Sequence, residues 1–381
     1  MNSSYWERTA LEQEWDAVIV GGGFVGCWAA LHLKRKKPHW TVGVLERGAF
    51  GAGASTRNAG FACFGSPTEL LDDLALESEA HVWGRVERRW RGLSHWRSAF
   101  SSQDLLWEPL GGHELFQIHE SNRAQQTQDA LAGLNQSMKS ITGQNEVFRV
   151  MDHLPGTQWQ YGVKILGEAQ LHPGKALLVL QQACQSAGIH LLFGAEVAPF
   201  DRWERTTAGW QLPTSRGTVA AERVGLCTNG ATSALFPEWP VVPARGQVVL
   251  THPLPSVPYR GTFHADAGYL YFRNVGDRLL LGGARNHFRA QEQTDDRNTT
   301  EEVTGYLEEY LRTVLLPGTQ VSLDQTWAGT MAFGPNNEKD PLLAQHAPGL
   351  WSAVRLGGMG VALAPVLGEE LAVGLDGGMR I

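Results

Sequence analysis

The sequence predicts a mixed α/β protein in which a parallel-sheet domain with flanking helices is interleaved with a second, antiparallel-sheet domain. Two glycine-rich turns, at 21–26 and 357–360, each follow an apolar strand pattern and precede a helical pattern, as in a parallel sheet with crossover helices. Between them, residues 241–281 hold closely spaced strand patterns separated by hairpin turns. We therefore expect the C-terminal turn to complete the first domain and the strand block to form the second.

The first turn is a G-x-G-x-x-G motif formed by Gly21, Gly23 and Gly26 between an apolar strand and a helix. In such motifs the first glycine permits the turn, the second lets a pyrophosphate approach the backbone, and the third lets helix and strand pack closely. The helix begins at Phe24 and Val25, whose amides face the phosphates at the positive end of the helix dipole. The pattern predicts a Rossmann-like nucleotide-binding unit.

An acidic residue, Glu46, ends the next apolar run, 41–45, and follows Gly26 by 20 residues. At the end of a second strand it is placed to accept hydrogen bonds from ribose hydroxyls. Because glycine makes up 44 of the 381 residues, a glycine-rich turn without a ligand is the alternative. The strand, the helix and the acidic residue in this order favour nucleotide binding.

The composition is that of an ordinary globular chain long enough for two domains, with 381 residues, 43% of them hydrophobic and 19% charged. Its 32 basic and 39 acidic residues give a net charge of −7, which provides no general attraction to nucleic acid or anionic lipid. We therefore expect neither as a partner.

Cysteine spacing and hydropathy predict the compartment. Cys27, Cys63, Cys184 and Cys227 are far apart and form no C-x-x-C pair, so neither a disulfide framework nor a metal site is expected. Residues 1–8 lack a basic-then-apolar targeting signal, and no apolar run reaches membrane-spanning length. The sequence predicts a cytoplasmic protein without an integral membrane segment.

A second small-residue segment, 51–60, follows Glu46. Its glycines and alanines let main-chain amides crowd an anion or a flat ring, while Ser55, Arg57 and Asn58 supply directed hydrogen-bond donors. The alternative is a flexible surface loop. We favour a ligand-binding loop because the arginine and asparagine stand between small residues and an apolar run.

The most basic stretch lies at 85–97, inside a helical pattern that covers 68–100. Interleaved arginines and tryptophans of this kind are able to stack on single-stranded nucleic acid. Because the chain is acidic overall, we favour an amphipathic helix that exposes a solvated basic face and buries its tryptophans.

The rest of the chain supplies the domain boundaries. A helix over 175–186 and a buried strand over 188–197 continue the parallel-sheet pattern, and the strand at 224–228 ends in Asn229 and Gly230, a turn suited to passing a nucleotide. The predicted nucleotide-binding domain comprises 14–80, 165–240 and 335–381, and the predicted substrate-binding domain comprises 81–164 and 241–334.

In combination these motifs resemble the D-amino-acid-oxidase-like superfamily of FAD-dependent amine and amino-acid oxidoreductases, and within it the gamma-glutamylputrescine oxidoreductase and glycine–sarcosine oxidase type. The segments that carry the resemblance span nearly the whole chain: 4–6, 21–26 with Glu46, 53–60, 269–273 with 278–283, and 356–361. The resemblance implies a Rossmann-like FAD-binding domain interleaved with an α+β substrate domain.

The resemblance implies non-covalent FAD as the cofactor, because 327–340 holds no counterpart of the cysteine that tethers flavin in some relatives; Cys63 is the remote alternative. Glu46 would meet the adenosine ribose, Arg47 the surroundings of the adenine, and the backbone of Val197 the adenine itself. The second loop would lie by the ribityl chain and the flavin ring, and the C-terminal turn would aim a helix N-terminus at the flavin pyrimidine. The implied cofactor-binding residues are Gly21, Gly23, Phe24, Val25, Gly26, Glu46, Arg47, Ser55, Arg57, Asn58, Ala59, Gly60, Val197, Asn229, Gly230, Gly357, Gly358, Met359, Gly360 and Val361.

The implied chemistry is oxidation of a carbon–nitrogen bond, in which the substrate hydrogen leaves as hydride to the flavin and the resulting imine is hydrolysed. Such a reaction needs positioning more than a dedicated general base, so no catalytic acid–base pair is assigned. The implied substrate-binding residues are Tyr271, Arg273, Met331 and Met359. Arg273 would clamp a substrate carboxylate with two N–H groups, the alternative being a structural salt bridge at a strand end.

The chain departs from the family pattern at three places. Ala362 stands where sarcosine oxidases have a carboxylate-binding lysine, 279–281 are leucines where they have a lysine that assists oxygen, and Met331 stands where glycine oxidases have a carboxylate-binding arginine. A larger amine, or a dehydrogenase that passes electrons to an acceptor other than oxygen, is therefore at least as well supported as simple glycine chemistry.

Two other functions remain open. The same fold and cofactor would serve a 2-hydroxy-acid dehydrogenase, or a nucleic-acid-modification or assembly protein that retains FAD, for which the stretch 85–97 is the only support. The main prediction has a small-molecule amine or amino-acid substrate, oxygen or another electron acceptor, and no nucleic-acid partner.

Overall fold

The computed structural model describes residues 4–6, 9 and 13–379. The predicted absence of a targeting signal concerns residues 1–8, most of which lie outside this set. Residues 380 and 381, at the end of the predicted FAD-binding domain, lie outside it too. Within the described part of the chain, no helix combines the length and the apolar character needed to cross a bilayer.

Strands and helices are numbered in chain order. The strands are β1 Trp15–Val20, β2 Val42–Glu46, β3 Phe61–Ala62, β4 Gly112–Gln117, β5 Phe148–Val150, β6 Trp159–Ile165, β7 Ala169–Gln170, β8 His190–Phe193, β9 Glu204–Thr206, β10 Gly209–Thr214, β11 Gly217–Leu226, β12 Val242–Thr251, β13 Thr262–Ala265, β14 Leu270–Val275, β15 Arg278–Gly283, β16 Leu323–Phe333, β17 Leu342–Ala347 and β18 Leu350–Val354. The helices are α1 Phe24–Lys36, α2 Pro67–Leu76, α3 Glu79–Ala99, α4 Ser102–Leu105, α5 Ser121–Thr142, α6 Pro173–Ser186, α7 Thr232–Leu235, α8 Glu301–Tyr310 and α9 Gly360–Leu375.

The chain forms two compact units, each discontinuous in sequence. The first takes its residues from Met1–Thr56, Pro173–Ala244 and Thr330–Ile381, and the second from Arg57–His172 and Arg245–Gly329. Residues 57–80, which the sequence grouped with the first domain, cluster with the second unit. There β3 pairs with β7, and α2 is held to α3 by ion pairs.

The first unit contains the predicted parallel sheet, with strand order β17-β18-β11-β1-β2-β8. Neighbouring strands from β18 to β8 run parallel, while β17 and β10 add antiparallel strands to β18 and β11. Ala17 to Val20 and all of β2 are buried, so these strands appear in the sequence as continuous apolar runs. Because parallel strands end at one edge of a sheet, the segments after β1, β2, β11 and β18 meet there.

Helix α1 explains why the first and last glycine turns belong to one unit. Nine of its thirteen residues are buried, and they lie on nearly every side of the helix, as expected of a helix covered by other elements. In α9, a Cβ on Gly368 would lie 2.7 Å from both the Trp28 Cβ and the Ala29 nitrogen of α1. The two helices therefore pack closely because a glycine faces the contact.

The second unit contains the predicted antiparallel sheet, with strand order β16-β12-β15-β14-β13-β4-β6-β5. The strands β12, β15, β14 and β13 are antiparallel in turn, and β13 is parallel to β4. One face packs in an apolar core that includes Phe263, Phe272 and Leu281 together with Leu307 of α8. The predicted hairpin turn at 274–277 joins β14 to β15. The predicted fold class, α/β with an interleaved antiparallel-sheet domain, is thus confirmed.

The basic stretch differs from its expected form. The helical pattern 68–100 is broken into α2 and α3, and two arginines of α3 point inward. Arg85 is 4% exposed and pairs with Asp73 and Glu77, while Arg89 is 2% exposed and pairs with Glu69. Carboxylates on α2 and just after it pull these arginines into the fold, so the solvated basic face is smaller than predicted.

Candidate functional site

The glycines of the first turn are required by close contacts within the first unit. Gly21 has φ of +108°, and a Cβ there would lie 2.6 Å from the Cys227 carbonyl oxygen. A Cβ on Gly26 would lie 1.9 Å from the Gly21 oxygen and 3.2 Å from Ile19 Cγ2. Any side chain at either position would therefore displace the backbone of the turn.

The N-terminus of α1 is prepared for an anion. Gly23 caps the helix in an extended conformation without a side-chain hydrogen bond, and the first turn contains no acidic residue. Ser55 Oγ lies against the turn, where it accepts a hydrogen bond from the Phe24 amide at 2.9 Å and would lie 2.7 Å from a Cβ on Gly23. The positive end of the helix dipole and first-turn amides such as that of Val25 thus lie at a turn whose own helix residues carry no negative charge, which fits a pyrophosphate.

The carboxylate of Glu46 ties the first turn to the loop after β2. Its Oε2 accepts a hydrogen bond from the Gly22 amide at 3.0 Å, and its Oε1 accepts from the amides of Gly48 at 2.8 Å and Ala52 at 3.3 Å. Glu46 is 6% exposed. Since two carboxylate oxygens offer about four acceptor directions, the group keeps room for a ribose hydroxyl beside these amides.

The two residues expected near the adenine lie close to Glu46 in the first unit. The Ala195 amide donates to the Glu46 carbonyl oxygen at 3.0 Å, and Val197 follows in a short bridge to Thr214. Arg47 reaches Glu196 at 3.9 Å, but both side chains are largely exposed. Such a pair contributes little to stability, so the Arg47 side chain is available to a ligand.

The turn after β11 is joined to the C-terminal glycine turn by one side chain. Asn229 has φ of +43°, and its Oδ1 accepts hydrogen bonds from the amides of Arg355 at 3.1 Å and Leu356 at 3.4 Å. Gly357 follows with φ of +54° and donates its amide to the Ala332 carbonyl at 2.9 Å. The structure therefore brings together the two turns that the sequence assigned separately to the cofactor.

The same part of the first unit holds the two predicted substrate-binding methionines. A Cβ on Gly230 would lie 3.0 Å from the Met331 carbonyl oxygen, and one on Gly358 would lie 4.0 Å from Met331 Sδ. Met359 immediately precedes α9, which begins at Gly360 and continues with the buried Val361. Met331 thus borders the C-terminal turn rather than being remote from it.

Arg355 is a residue of this site that sequence reasoning missed. It is 4% exposed and has φ of +67°; its guanidinium donates to the carbonyls of Asp340 and Pro240 and pairs with Glu338 Oε2 at 2.9 Å. It therefore anchors the start of the C-terminal turn. The only sequence signal was an arginine between a buried strand and two glycines.

In the second unit, the loop expected by the flavin is fastened to β16. The Arg57 guanidinium donates to the Ala328 carbonyl at 2.9 Å, and the Trp327 indole donates to the Arg57 carbonyl at 2.9 Å. Asn58 Oδ1 accepts the Gly60 amide at 2.8 Å, which closes a tight turn around the buried Ala59. The segment is consequently an ordered loop rather than a flexible one.

Tyr271 and Arg273 lie on the sheet face opposite the apolar core of the second unit, since they alternate with Phe272 along β14. The Tyr271 hydroxyl has no hydrogen-bond partner among the described residues, and burial raises its pKa to about 12. A Cβ on Gly282 would lie 2.7 Å from that hydroxyl, so the phenol lies directly over the β15 backbone.

The Arg273 guanidinium is already engaged within the second unit. Its Nη1 donates to the carbonyls of Ala59 at 3.1 Å, Gly60 at 3.2 Å and Leu171 at 2.8 Å, and its Nε donates to the Asn274 carbonyl at 3.1 Å. It is 7% exposed, and burial lowers its pKa to about 10. Among the described residues it has no carboxylate within ion-pair distance, so the structural salt bridge considered from the sequence is not formed, and binding of a substrate carboxylate stays a prediction.

The first unit fits the adenosine and pyrophosphate part of FAD. A helix N-terminus without an acidic residue in its first turn, a glycine cradle that a Cβ would fill, and a buried carboxylate at the end of β2 occur together. When bound there, FAD supplies a two-electron acceptor. The residues that would hold it are those of the first turn, Glu46, Ser55 and Val197.

Comparison with known proteins gives the same assignment. A "Probable oxidoreductase OrdL" of Rhizobium meliloti is 24% identical over 374 residues, covering 94% of this chain and 83% of that protein. The "tRNA 5-methylaminomethyl-2-thiouridine biosynthesis bifunctional protein MnmC" of Idiomarina loihiensis is 26% identical over 378 residues, covering 95% of this chain and 56% of that protein. The chain therefore spans about half of the latter.

Glycine oxidase of Geobacillus kaustophilus is similar in both sequence and structure. It is 26% identical over 284 residues, covering 71% of this chain and 70% of that protein. Its crystal structure superposes with a TM-score of 0.75 at 20% identity, covering 95% of each chain. The family described as FAD dependent oxidoreductase, DAO, matches residues 16–373. The chain is thus an FAD-dependent oxidoreductase and belongs to the DAO family.

Proposed function

We propose that the protein oxidises the carbon–nitrogen bond of an amine larger than glycine, giving an imine that water hydrolyses. Support comes from membership of an FAD-dependent oxidoreductase family and from similarity to a glycine oxidase, which acts on a carbon–nitrogen bond. FAD held by the first unit would supply a two-electron acceptor, and the protein would position the substrate carbon.

The observation that carries the choice of substrate is the Arg273 guanidinium. Bidentate recognition of a carboxylate needs two parallel N–H groups. The Nη1 and Nε groups of Arg273 already donate hydrogen bonds to four backbone carbonyls. The family resemblance implies that Met331 replaces a carboxylate-binding arginine of glycine oxidases, and Met331 borders Gly358. A small α-amino acid would find no bidentate carboxylate partner at either position.

Within this proposal each predicted group keeps a distinct task. Tyr271, Met331 and Met359 contact the substrate, and the loop 57–60 contacts the flavin. Arg273 supports that loop from behind through its bonds to Ala59 and Gly60. The flavin is held without a covalent bond.

Anaerobic reduction of the FAD-loaded protein tests the proposal. Purified protein is mixed with alkylamines, polyamines, amino acids and 2-hydroxy acids, and loss of flavin absorbance is followed before air is admitted. We expect at least one amine to bleach the flavin faster than glycine does. Bleaching by 2-hydroxy acids and by no amine would assign the alternative dehydrogenase function instead. The rate of recovery in air distinguishes oxygen from another electron acceptor.

A second candidate is oxidation of an amine carried on tRNA, which the similarity to a tRNA-modifying bifunctional protein favours. Against it, Arg85 and Arg89 of the basic stretch are buried in ion pairs and cannot bind phosphate. Titration of the protein with tRNA at two salt concentrations tests this function, because phosphate contacts make binding strongly salt-dependent. We expect no salt-sensitive complex.

The cytoplasmic location stays a proposal. Its support is chemical: Cys27, Cys63, Cys184 and Cys227 are all free thiols, and three of them are buried. Free thiols persist in reducing compartments.

A further inference from the structure

A row of side chains crosses the sheet of the second unit beside the predicted substrate residue. In the strand register, His264 of β13 is paired with Glu114 of β4 on one side and with Tyr271 of β14 on the other. Directly paired residues point to the same face of a sheet, with Cβ atoms about 4.5–5.5 Å apart. His264 therefore lies next to Tyr271 on the face opposite the apolar core.

The two rings are held in place by a third. Phe61 makes edge-on contacts with His264 at 5.3 Å and 85° and with Tyr271 at 5.8 Å and 78°, measured between ring centroids and planes. Edge-to-face geometry of this kind is the favoured arrangement of aromatic rings. The His264 and Tyr271 rings are thus fixed from one side by a side chain that makes no hydrogen bond itself.

Both polar groups lack a partner. Neither ring nitrogen of His264 and no hydroxyl lone pair of Tyr271 is hydrogen-bonded to any residue that the structure describes. Both side chains are half-buried. Their polar atoms are not fully enclosed by protein, so water or the polar group of a ligand is able to reach them. Side by side, the two residues offer a polar ligand a hydrogen-bond acceptor and a hydrogen-bond donor.

The charges around this pair are already neutralised or engaged elsewhere. Glu114 accepts hydrogen bonds from Ser66 Oγ and from the Thr68 amide, and Glu69 of α2 pairs with Arg89. Arg273 follows Tyr271 by two residues on the same face of β14, and its guanidinium donates hydrogen bonds to backbone carbonyls. Burial lowers the pKa of His264 to about 4 and raises that of Tyr271 to about 12, so both are neutral near pH 7.

Resting on the amine oxidation proposed above, we infer that His264 accepts a hydrogen bond from an N–H group of the substrate amine and thereby orients its carbon–nitrogen bond. A neutral imidazole offers one acceptor nitrogen and no charge, which suits an amine and gives no hold on a carboxylate. Tyr271 provides the neighbouring donor for a second polar group of the same ligand. His264 is then a specificity residue that selects amines carrying an N–H.

The test combines a substitution with matched probes. The probes are hexylamine, benzylamine and putrescine, each compared with the derivative in which every amino group is trimethylated and therefore carries no N–H in any protonation state. The apparent Kd of each amine and the limiting rate are measured by anaerobic flavin reduction, and the Kd of each trimethylated derivative is measured by competition at the same pH. We expect His264→Leu to raise the apparent Kd for the N–H probes about tenfold, the effect of losing one good hydrogen bond. His264→Gln, which keeps an acceptor oxygen, stays within about threefold of the wild type.

Controls separate binding from folding. His252→Leu removes an exposed histidine of the second unit and leaves all constants unchanged. Bound-flavin absorbance and the melting temperature are recorded for every variant, and His264→Gln keeps the test valid if His264→Leu does not fold.

The outcomes distinguish the inference from the function on which it rests. If the wild-type flavin is reduced but His264→Leu binds the N–H probes as the wild type does, or binds the trimethylated probes more weakly by the same factor, the role of His264 is wrong and amine oxidation stands. If no amine reduces the wild-type flavin, amine oxidation itself is wrong and the inference falls with it.

Discussion

The cofactor cradle of the first unit and the β13–β14 face of the second unit are built in opposite ways. The cradle is made mainly of backbone, and its shape depends on positions where a Cβ would collide with a carbonyl or a neighbouring side chain. The β13–β14 face is made of side chains, and what each does depends on its partner in the strand register. The shape of the cradle is determined by glycines, which have no Cβ. The binding properties of the β13–β14 face are determined by which hydrogen-bonding groups of its side chains are already bound to neighbouring residues.

This difference matches two tasks: the backbone cradle would bind the cofactor, and the side-chain face would determine substrate specificity. A backbone cradle tolerates little variation, since a methyl group at Gly26 would overlap the turn. A side-chain face changes with any one of its partners, as Arg273 illustrates by its four carbonyl contacts. The following experiments probe that contrast in order of expected effect.

The largest effect is expected for Gly26→Ala in the cradle. The new Cβ would meet the Gly21 oxygen at 1.9 Å, so the turn must move, at a cost of about 3 kcal/mol or more. We expect purified protein without bound flavin, as measured by absorbance and by titration with FAD. Gly133→Ala in α5, where a Cβ meets nothing within 4 Å, is the matched control. Normal flavin content in Gly26→Ala would show that the cradle is less rigid than its contacts indicate.

Arg273→Met tests the side-chain region. The buried carbonyls of Ala59 and Leu171 lose the guanidinium donor, whereas that of Gly60 keeps the Leu171 amide, and leaving a buried carbonyl unsatisfied costs about 1–3 kcal/mol. We expect a lower free energy of unfolding in urea, with a smaller loss in Arg273→Lys. Arg312→Met removes an exposed ion pair with Glu309 and should leave stability nearly unchanged. If Arg273→Met is as stable as the wild type and only the binding of carboxylates changes, Arg273 binds a substrate carboxylate and does not stabilise the fold.

Glu46→Gln tests the side chain on which the cradle depends. One of its oxygens becomes an NH2 group facing a backbone amide, so at least one charged hydrogen bond is lost, at about 1.5–3 kcal/mol. We expect weaker FAD binding by fluorescence titration together with a lower melting temperature. Glu196→Gln, an exposed neighbour, serves as control. A fall in FAD affinity without a fall in stability would mean that Glu46 serves the ribose and not the turn.

The smallest effect per step of the experiment is a pH dependence in the second unit, at most about 1.4 kcal/mol for each pH unit. Burial raises the pKa of Glu168 to about 8, although its Oε1 accepts the amides of Phe64 at 2.9 Å and Gly65 at 3.4 Å. The folded state therefore holds a proton that the unfolded state, with a carboxyl pKa of about 4.3, has released. This group's contribution is consequently largest at low pH and decreases as pH rises toward 8.

Glu168→Gln removes that titration. Relative to the wild type, its free energy of unfolding should rise with pH by up to about 1.4 kcal/mol per unit below pH 8 and then level off. Urea unfolding at several pH values measures the difference, with Glu309→Gln on the surface as control. A constant difference between Glu168→Gln and the wild type across this range would mean that Glu168 is ionised in the folded protein.

The same contrast explains what the sequence was able to predict. The first turn, the placement of Glu46 after β2 and the return of the chain to the first unit at 357–360 follow from glycine spacing and apolar runs, which act locally. The inward direction of Arg85, the carbonyl contacts of Arg273 and the anchoring role of Arg355 depend on residues that are distant in sequence. No local pattern marks such partners.

His264 is the clearest example of a residue whose role cannot be predicted from the sequence. In the sequence it is one histidine among 13, with no motif around it. It becomes a candidate only when the register of three strands places it between Glu114 and Tyr271 and when its nitrogens are found without partners. Both facts belong to the assembled sheet.

The contact between α1 and α9 has a consequence for synthesis on the ribosome. The apolar helix Phe24–Lys36 is translated more than 300 residues before Gly368, which packs against Trp28. Until then the nascent chain carries an apolar helix without its cover. Chaperones that hold nascent chains would therefore have a target here, and chains cut short before α9 would leave the same apolar helix without this contact.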